Sequence, residues 1–149
     1  MEEKEAQITV VVIVHNSEVY AERCLNSLID QDSQLFRVVI VDDGSTDRSR
    51  EICRTIIDRM RVPVQLLELP HGGVAEARNQ GLAQVDTPYV LFLDGDDWLE
   101  PNTISTMMAL VDADQPELAV FGFYYEFSNG SHHLLHSHTQ RSMLTRESI

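Results

Sequence analysis

The chain has 149 residues, 43% hydrophobic and 23% charged, the balance of a soluble globular domain with an ordinary core. Its formal net charge is -13, which argues against a nucleic-acid backbone as partner and against simple electrostatic docking on anionic lipid. Lys4 is the only lysine, so a mechanism that needs a buried lysine is close to excluded.

Ile8 to Val14 is a near-continuous β-branched run and predicts a strand buried on both faces, as in a parallel sheet. His15-Asn16-Ser17 ends it, and Asn16 or Ser17 is suited to cap the next helix. Between Glu18 and Ile29, Tyr20, Cys24, Leu25 and Leu28 recur at helical spacing and predict one buried face. Phe36 to Val41 predicts a second strand, closed by the turn Asp42-Asp43-Gly44-Ser45-Thr46-Asp47 with helix-capping residues at its exit. Ile52, Ile56, Ile57 and Met60 mark a second helix, and Val64 to Leu69 a third strand.

His71-Gly72-Gly73 predicts a flexible loop, and Val74 to Gln84 a third helix weakened by Gly81. Tyr89 to Leu93 predicts a fourth strand, followed by Asp94-Gly95-Asp96-Asp97. Pro101 suits the first position of a helix whose buried stripe is Ile104, Met107, Met108 and Val111. Leu118 to Phe127 predicts a further strand, and Asn129-Gly130 a hairpin turn, a better account of Asn129-Gly130-Ser131 than a glycosylation acceptor. Cys24 and Cys53 fall on apolar helix faces and read as small buried hydrophobes, which suits a reducing compartment. The acidic N-terminus has no signal-peptide pattern, and the apolar run Val10 to Val14 is far too short to span a bilayer.

Strand and helix alternate, so the expected fold is α/β, three-layer and Rossmann-like, with a mostly parallel central sheet. Right-handed crossovers put all strand C-termini on one edge, where open α/β sheets bind ligands. Asn16, Asp42, Asp43, Asp94 and Asp96 each follow a predicted strand and should line that edge. The acidic turn is unfavourable alone: two like charges about 4 Å apart repel by roughly 4 kcal/mol at an effective dielectric near 20. Such a cluster suits a hard divalent ion, Mg²⁺ or Mn²⁺, that shares its coordination with substrate phosphates.

A nucleoside diphosphate along the crevice would use these groups together. Asp94 or Asp96 would hold the ion, which stabilises a departing diphosphate as a Lewis acid. Asp43 could accept hydrogen bonds from a base N–H or ribose hydroxyls, Gly72-Gly73 would let backbone approach the ligand, and Arg78 could reach a phosphate. Each has a plainer reading: Asp42 or Asp43 as helix caps, Arg78 as a solvated helix residue and Gly73 as a turn residue.

Four segments, Val10–Asn16, Val39–Asp47, Gly73–Asn79 and Phe92–Asp97, resemble the ordered motifs of family 2 glycosyltransferases over about Ile8 to Phe127. The resemblance implies the GT-A nucleotide-diphosphosugar transferase fold. It implies inverting transfer of a sugar, of hexosyltransferase type, from a nucleotide-sugar donor, commonly a UDP-sugar, to a glycan or lipid-linked acceptor. It makes Asp94-Gly95-Asp96 the DxD motif, with Asp96 the more direct metal ligand and Asp94 nearer the ribose. Asp43 matches the base-recognising aspartate, while Ser45 and Arg78 match positions lining the nucleotide pocket. Polysaccharide or cell-wall assembly is typical of the family, as is a cytoplasmic place, compatible with peripheral association of the full-length protein at the inner membrane face. Two departures stand out. Ile13-Val14 replaces the usual proline-containing turn before Asn16, and nothing after Phe127 matches the element that carries the catalytic base. The expectation is a donor-binding domain over 1–127, then a hairpin or tail over 128–149 leading to an acceptor-binding region and a base beyond Ile149. The alternative is a non-catalytic nucleotide-sugar binding module.

Other classes fit less well. A haloacid-dehalogenase phosphatase or a response-regulator receiver needs a later lysine, and a Rossmann dehydrogenase needs glycines directly after the first strand. His132, His133, His136 and His138 cluster in sequence, but a surface strand or tail accounts for them better than a metal site, because no carboxylate or cysteine joins them. Trp98 reads as core packing in preference to a sugar-stacking platform.

Overall fold

The structure, a computed structural model, describes residues 5–127 and 129–135. Lys4, His136 and His138 lie outside the described residues. The chain divides into two compact units, Met1–Ala109 and Leu110–Ile149.

The first unit holds a parallel four-stranded sheet in the order β3-β2-β1-β4. Its strands are β1 (Ile8–Val14), β2 (Phe36–Asp43), β3 (Val64–Leu69) and β4 (Tyr89–Asp94). All seven residues of β1 are buried, as expected of a β-branched central strand covered on both faces. The helices between the strands are α1 (Ala21–Ile29), α2 (Ser49–Ile57) and α3 (Val74–Leu82), with α4 (Thr103–Asp114) after β4.

Side-chain alternation sorts the core into two layers. Val10, Val12 and Val14 of β1, with Val38 and Ile40 of β2, pack against Cys24, Leu25 and Leu28 of α1, Cys53 and Ile56 of α2, and Ile104 and Met108 of α4. On the other face Val11, Ile13, Val39 and Val41 pack against Ala77 of α3. The expected three-layer α/β architecture is therefore observed. Gly81 belongs to the close approach of α3 to the sheet, because a Cβ there would collide with Val11 Cγ1.

Several boundaries differ from expectation. Tyr20 is 52% exposed and off the buried face of α1, which begins one residue later. Neither Asn16 nor Ser17 caps α1 through its side chain; the Ser17 carbonyl accepts the N–H groups of Tyr20 and Ala21 instead. β2 and β4 each run past the predicted end, so Asp42, Asp43 and Asp94 are strand residues. α3 stops at Leu82, and Pro101 lies in the turn before α4.

In the second unit the expected strand Leu118 to Phe127 shrinks to β5 (Phe123–Glu126), all four residues exposed. It pairs antiparallel with β6 (His132–Leu135) around the expected Asn129-Gly130 turn, where Gly130 has φ 77°. Glu126 lies opposite His132 in the register, and His132 and His133 are exposed on a strand, the surface strand expected of them. Among the described residues no helix is long and apolar enough to cross a membrane.

Candidate functional site

The strand order changes direction between β1 and β4: the chain builds outward through β2 and β3, then returns to the other side of β1. That switch point is where open α/β sheets bind ligands. A cavity of about 240 Å³ opens there, lined among others by His15, Asp43, His71, Asp94, Gly95 and Asp96. A larger groove of about 570 Å³ runs between α1 and Trp98–Pro101, away from Asp43 and the acidic turn. Trp98 borders it half-buried, with the Arg23 guanidinium 3.4 Å from its ring centroid, and is not a core residue as expected.

Asp42 and Asp43 are neighbours on a strand and therefore face opposite sides. The Asp42 carboxylate is fully buried and accepts Arg50 Nε and Nη2, each at 2.7 Å, and the Ser45 N–H at 3.3 Å. It holds the start of α2 to the end of β2 and does not line the crevice. Asp43 faces the crevice mouth. Its Oδ1 accepts the Gly72 N–H at 2.7 Å, and its Oδ2 accepts the Gly73 N–H at 3.0 Å and His71 Nδ1 at 2.9 Å. Burial pushes the Asp43 carboxyl upward, but the Gly72 and Gly73 amides and His71 together outweigh it and hold the group below its ordinary range. Gly44 makes this closeness possible. It has φ +66°, and a Cβ there would sit 2.9 Å from the His71 Cα.

His15 and His71 stack with ring centroids 4.2 Å apart and an interplanar angle of 21°. His15 Nδ1 lies 2.7 Å from the Asp43 carbonyl oxygen, and His71 Nδ1 lies 3.2 Å from the same atom. His15, Asp43 and His71 bring ligand atoms within 4.8 Å of one another. Both Nδ1 atoms are engaged with Asp43, however, and the in-plane lone pairs of nearly parallel stacked rings do not converge on one ion. In this arrangement the three residues form a hydrogen-bonded cradle.

The acidic turn faces them across the crevice. The Gly95 N–H donates to the Ile13 carbonyl at 2.8 Å and the Asp97 N–H to the Asp94 carbonyl at 2.9 Å, which fixes the turn against β1. A Cβ on Gly95 would lie 2.9 Å from the Ile13 oxygen, so the residue must be small. Arg78 Nη2 donates to Asp94 Oδ1 at 2.8 Å and Oδ2 at 3.2 Å. Asp96 is exposed, and among the described residues its carboxylate has neither a hydrogen bond nor an ion pair. Burial and the charges of Asp96 and Asp94 push the Asp97 carboxyl upward. One arginine among three carboxylates leaves an uncompensated negative field that a hard divalent cation fits, with Asp96 free to ligate it.

The remaining predicted residues take supporting places. Asn16, in the left-handed region at φ 48°, donates its N–H to Ser45 Oγ at 3.0 Å and accepts the Thr46 N–H at 2.8 Å on Oδ1. Ser17 N–H to Ser49 Oγ at 2.7 Å, Glu18 N–H to Asp47 Oδ2 at 3.1 Å and Arg48 N–H to Glu18 Oε2 at 3.0 Å complete a tie between the loops after β1 and β2. Gly73, at φ 92°, opens α3 and gives its N–H to Asp43. Sequence reasoning passed over His15 and His71, although each follows a strand just as the aspartates do.

The family model for "Glycosyl transferase family 2" matches residues 9–148. The chain belongs to that family. It is 39% identical over 122 residues to the glycosyltransferase GlyA of Streptococcus pneumoniae, covering 82% of this chain and 17% of GlyA. It is 37% identical over 108 residues to the poly(ribitol-phosphate) β-N-acetylglucosaminyltransferase TarS of Staphylococcus aureus, covering 71% of this chain and 19% of TarS. The crystal structure of S. aureus TarS 1-349 in complex with UDP-GlcNAc matches with a TM-score of 0.66 and 36% identity, over 73% of this chain and 32% of that one. A mannosyltransferase from Pyrobaculum calidifontis, at 24% identity and a TM-score of 0.67 over 76% of this chain and 34% of that one, shares the fold. The expected GT-A architecture is thus shown. The chain spans only 17–19% of the length of GlyA and TarS.

Proposed function

We propose that this family 2 chain is the donor-binding part of a sugar transferase and takes a nucleotide-diphosphosugar, a UDP-sugar first of all, in the crevice between β1, β2 and β4. The observation that carries the reading is the opposition of a rigid Asp43 cradle and an exposed, unpaired Asp96 across one crevice at the sheet's switch point. Its relatives support it: TarS is named as an N-acetylglucosaminyltransferase and was solved with UDP-GlcNAc.

In this reading Asp96, with Asp94, would hold Mn²⁺ or Mg²⁺, which would supply Lewis-acid stabilisation of charge on the leaving diphosphate. Arg78 sets the orientation of Asp94 through their ion pair. Asn16, Ser45 and Asp42 act at one remove, by holding the loops that carry the cradle. Gly73 supplies backbone to Asp43 and leaves open space in front of α3. The sugar passes with inversion to a glycan or lipid-linked acceptor, activated by a base that none of these residues supplies, in the cytoplasm or at the inner membrane face.

Calorimetric titration of UDP with and without Mn²⁺, on this chain and on Asp96→Ala, tests the proposal. Metal-dependent binding that the substitution abolishes is the expected result. A folded chain that binds no UDP, GDP or dTDP in Mn²⁺ would overturn it. Release of UDP from a UDP-sugar by the longer protein separates a transferase from a non-catalytic binding module.

A further inference from the structure

Gln31 is a polar side chain only 5% exposed, one residue past the C-cap of α1. Its Nε2 donates to the Ser27 carbonyl at 3.0 Å and to the Glu100 carbonyl at 2.8 Å, and its Oε1 accepts the Ile104 N–H at 2.9 Å. Carbonyls only accept and an N–H only donates, so these partners admit one orientation of the amide. Ile104 is buried in the first turn of α4, where an N–H has no partner within its own helix. One side chain thus joins the last turn of α1, the loop after β4 and the start of α4.

Ser27, one turn earlier on α1, holds the same loop nearer the acidic turn. Its hydroxyl donates to the Cys24 carbonyl at 2.6 Å, and its oxygen accepts the Leu99 N–H at 3.1 Å. The Asp32 N–H donates to the Pro101 carbonyl at 2.9 Å, and the Arg23 guanidinium covers the Trp98 ring. At the near end of the turn, the Gly95 N–H is tied to the Ile13 carbonyl. Only Asp96, Asp97 and Trp98 lie between the Gly95 tie and the Leu99 tie. The Asp96 carboxylate has no partner among the described residues, so its own contacts do not set its place. The ties at the two ends of this short span do.

We infer that Ser27 and Gln31 are positioning residues for Asp96, and that their clamp on the segment after the acidic turn sets how readily the turn takes a divalent ion. The inference rests on the donor reading above and adds α1 to the site it describes. Neither residue is a ligand; both act through the backbone that carries Asp96. A turn held in place beforehand need not be ordered by the ion. A loosened turn must be, and that ordering is drawn from the binding free energy.

The test is calorimetric titration of UDP at a series of Mn²⁺ concentrations. It is run on this chain, Gln31→Met, Ser27→Ala, Ser27→Thr and Asp96→Ala. Ile56→Val, a core truncation on α2, serves as the control because α2 makes none of these contacts. We expect Gln31→Met and Ser27→Ala each to need about tenfold more Mn²⁺ for half-maximal UDP binding, the effect of about one ordinary hydrogen bond. Ile56→Val should leave that concentration unchanged. Ser27→Thr keeps a hydroxyl that can bond the carbonyl one turn back in a helix, and it should recover most of the Mn²⁺ response. If the folded chain binds no UDP with Mn²⁺, the donor reading is wrong and this inference goes with it. If Mn²⁺-dependent binding survives Asp96→Ala, Asp96 is not the ligand and the inference falls. If Asp96→Ala loses binding, yet Gln31→Met and Ser27→Ala match this chain or Ile56→Val shifts as far as they do, the clamp alone is refuted and the donor reading stands. Should Gln31→Met fail to fold, the Ser27 pair decides: a shift in Ser27→Ala that Ser27→Thr largely removes upholds the inference, and any other pattern overturns it.

Discussion

Arg78 and Asp94 are locked together: one guanidinium nitrogen lies 2.8 Å from Oδ1 and 3.2 Å from Oδ2 of the carboxylate. The pair joins α3 to the end of β4, and it changes how Arg78 is to be understood. Its charge is already directed at the acidic turn, so it shapes the proposed metal site before any phosphate arrives.

Both partners of that pair are over 40% exposed, 41% for Arg78 and 46% for Asp94, so its direct contribution to stability is small. Arg78→Met should cost about 1 kcal/mol or less in urea unfolding. It should weaken Mn²⁺-dependent UDP binding about tenfold, because Asp94 loses the group that fixes its orientation. Equal binding by the variant would show that Asp94 needs no such support.

Asp97 carries the opposite electrostatic burden. Burial and the charges of Asp96 and Asp94 raise its carboxyl, so the folded state disfavours the ionised form. For an acid with a raised folded pKa, the associated stability is present at low pH and lost as pH rises through that value. At neutral pH Asp97 is therefore a cost, and Asp97→Asn should raise the melting temperature without metal. Saturating Mn²⁺ should shrink the gain, because the ion relieves the same repulsion. A lower melting temperature for Asp97→Asn in metal-free buffer would contradict this account.

Asp43 has the reverse sign. Its folded pKa lies below the ordinary 3.8, so its contribution is fully present above that value and is lost as pH falls through the folded pKa. Asp43→Asn should lower stability at neutral pH and flatten the acid limb of a plot of unfolding free energy against pH. Asp47, held low against burial by Ser49 and Glu18, and Glu68, held low by Arg54, share the sign and should leave a residual slope in the variant.

The division between Asp42 and Asp43 shows where sequence reasoning stopped. Alternating strand and helix patterns placed both at the ligand edge of the sheet, together with the Asp94–Asp97 turn, because chain order alone aligns the strand C-termini. Which of the two faces the crevice depends on alternation along β2. Val38, Val39, Ile40 and Val41 are all buried, so the strand has no polar face to set the parity. The answer came from Arg50, eight residues on, which claims Asp42. His71 was invisible for a related reason. Its contacts with Asp43 and His15 span loops after different strands and leave no local pattern, although a search of every strand-end residue would have found it. β5 was over-read because Leu118, Val120 and Phe121 are apolar yet exposed, at 62%, 60% and 49%, and do not form strand.

The two cysteines should report on the integrity of the core. Burial, first of all, pushes the Cys24 thiol far above its ordinary value, and burial with the nearby Asp42 pushes Cys53 up to about 12. Neither thiol should react measurably with an aromatic disulfide reagent at neutral pH in the folded chain, and both should react at once in urea. Fast labelling of either thiol under native conditions would place it outside the layer formed by α1, α2 and the sheet.

Gly81 offers the sharpest check on packing, because two general effects oppose each other there. In an exposed helix interior, replacing glycine by alanine stabilises by about 1 kcal/mol. Here the new methyl would collide with Val11 Cγ1 and lie 3.1 Å from Val41 Cγ2, both on buried strands that cannot withdraw. Overpacking of this kind costs about 1–3 kcal/mol. Gly81→Ala should therefore destabilise the protein in urea unfolding, reversing the usual sign. Gly73→Ala should destabilise it too, but by a different route: open space surrounds its Cβ position, while its backbone sits at φ +92°. Trimming Val11 to alanine should restore part of the loss in Gly81→Ala and none of it in Gly73→Ala. A double-mutant cycle measures that difference directly, and equal rescue in both backgrounds would mean that α3 does not press on β1 through Gly81.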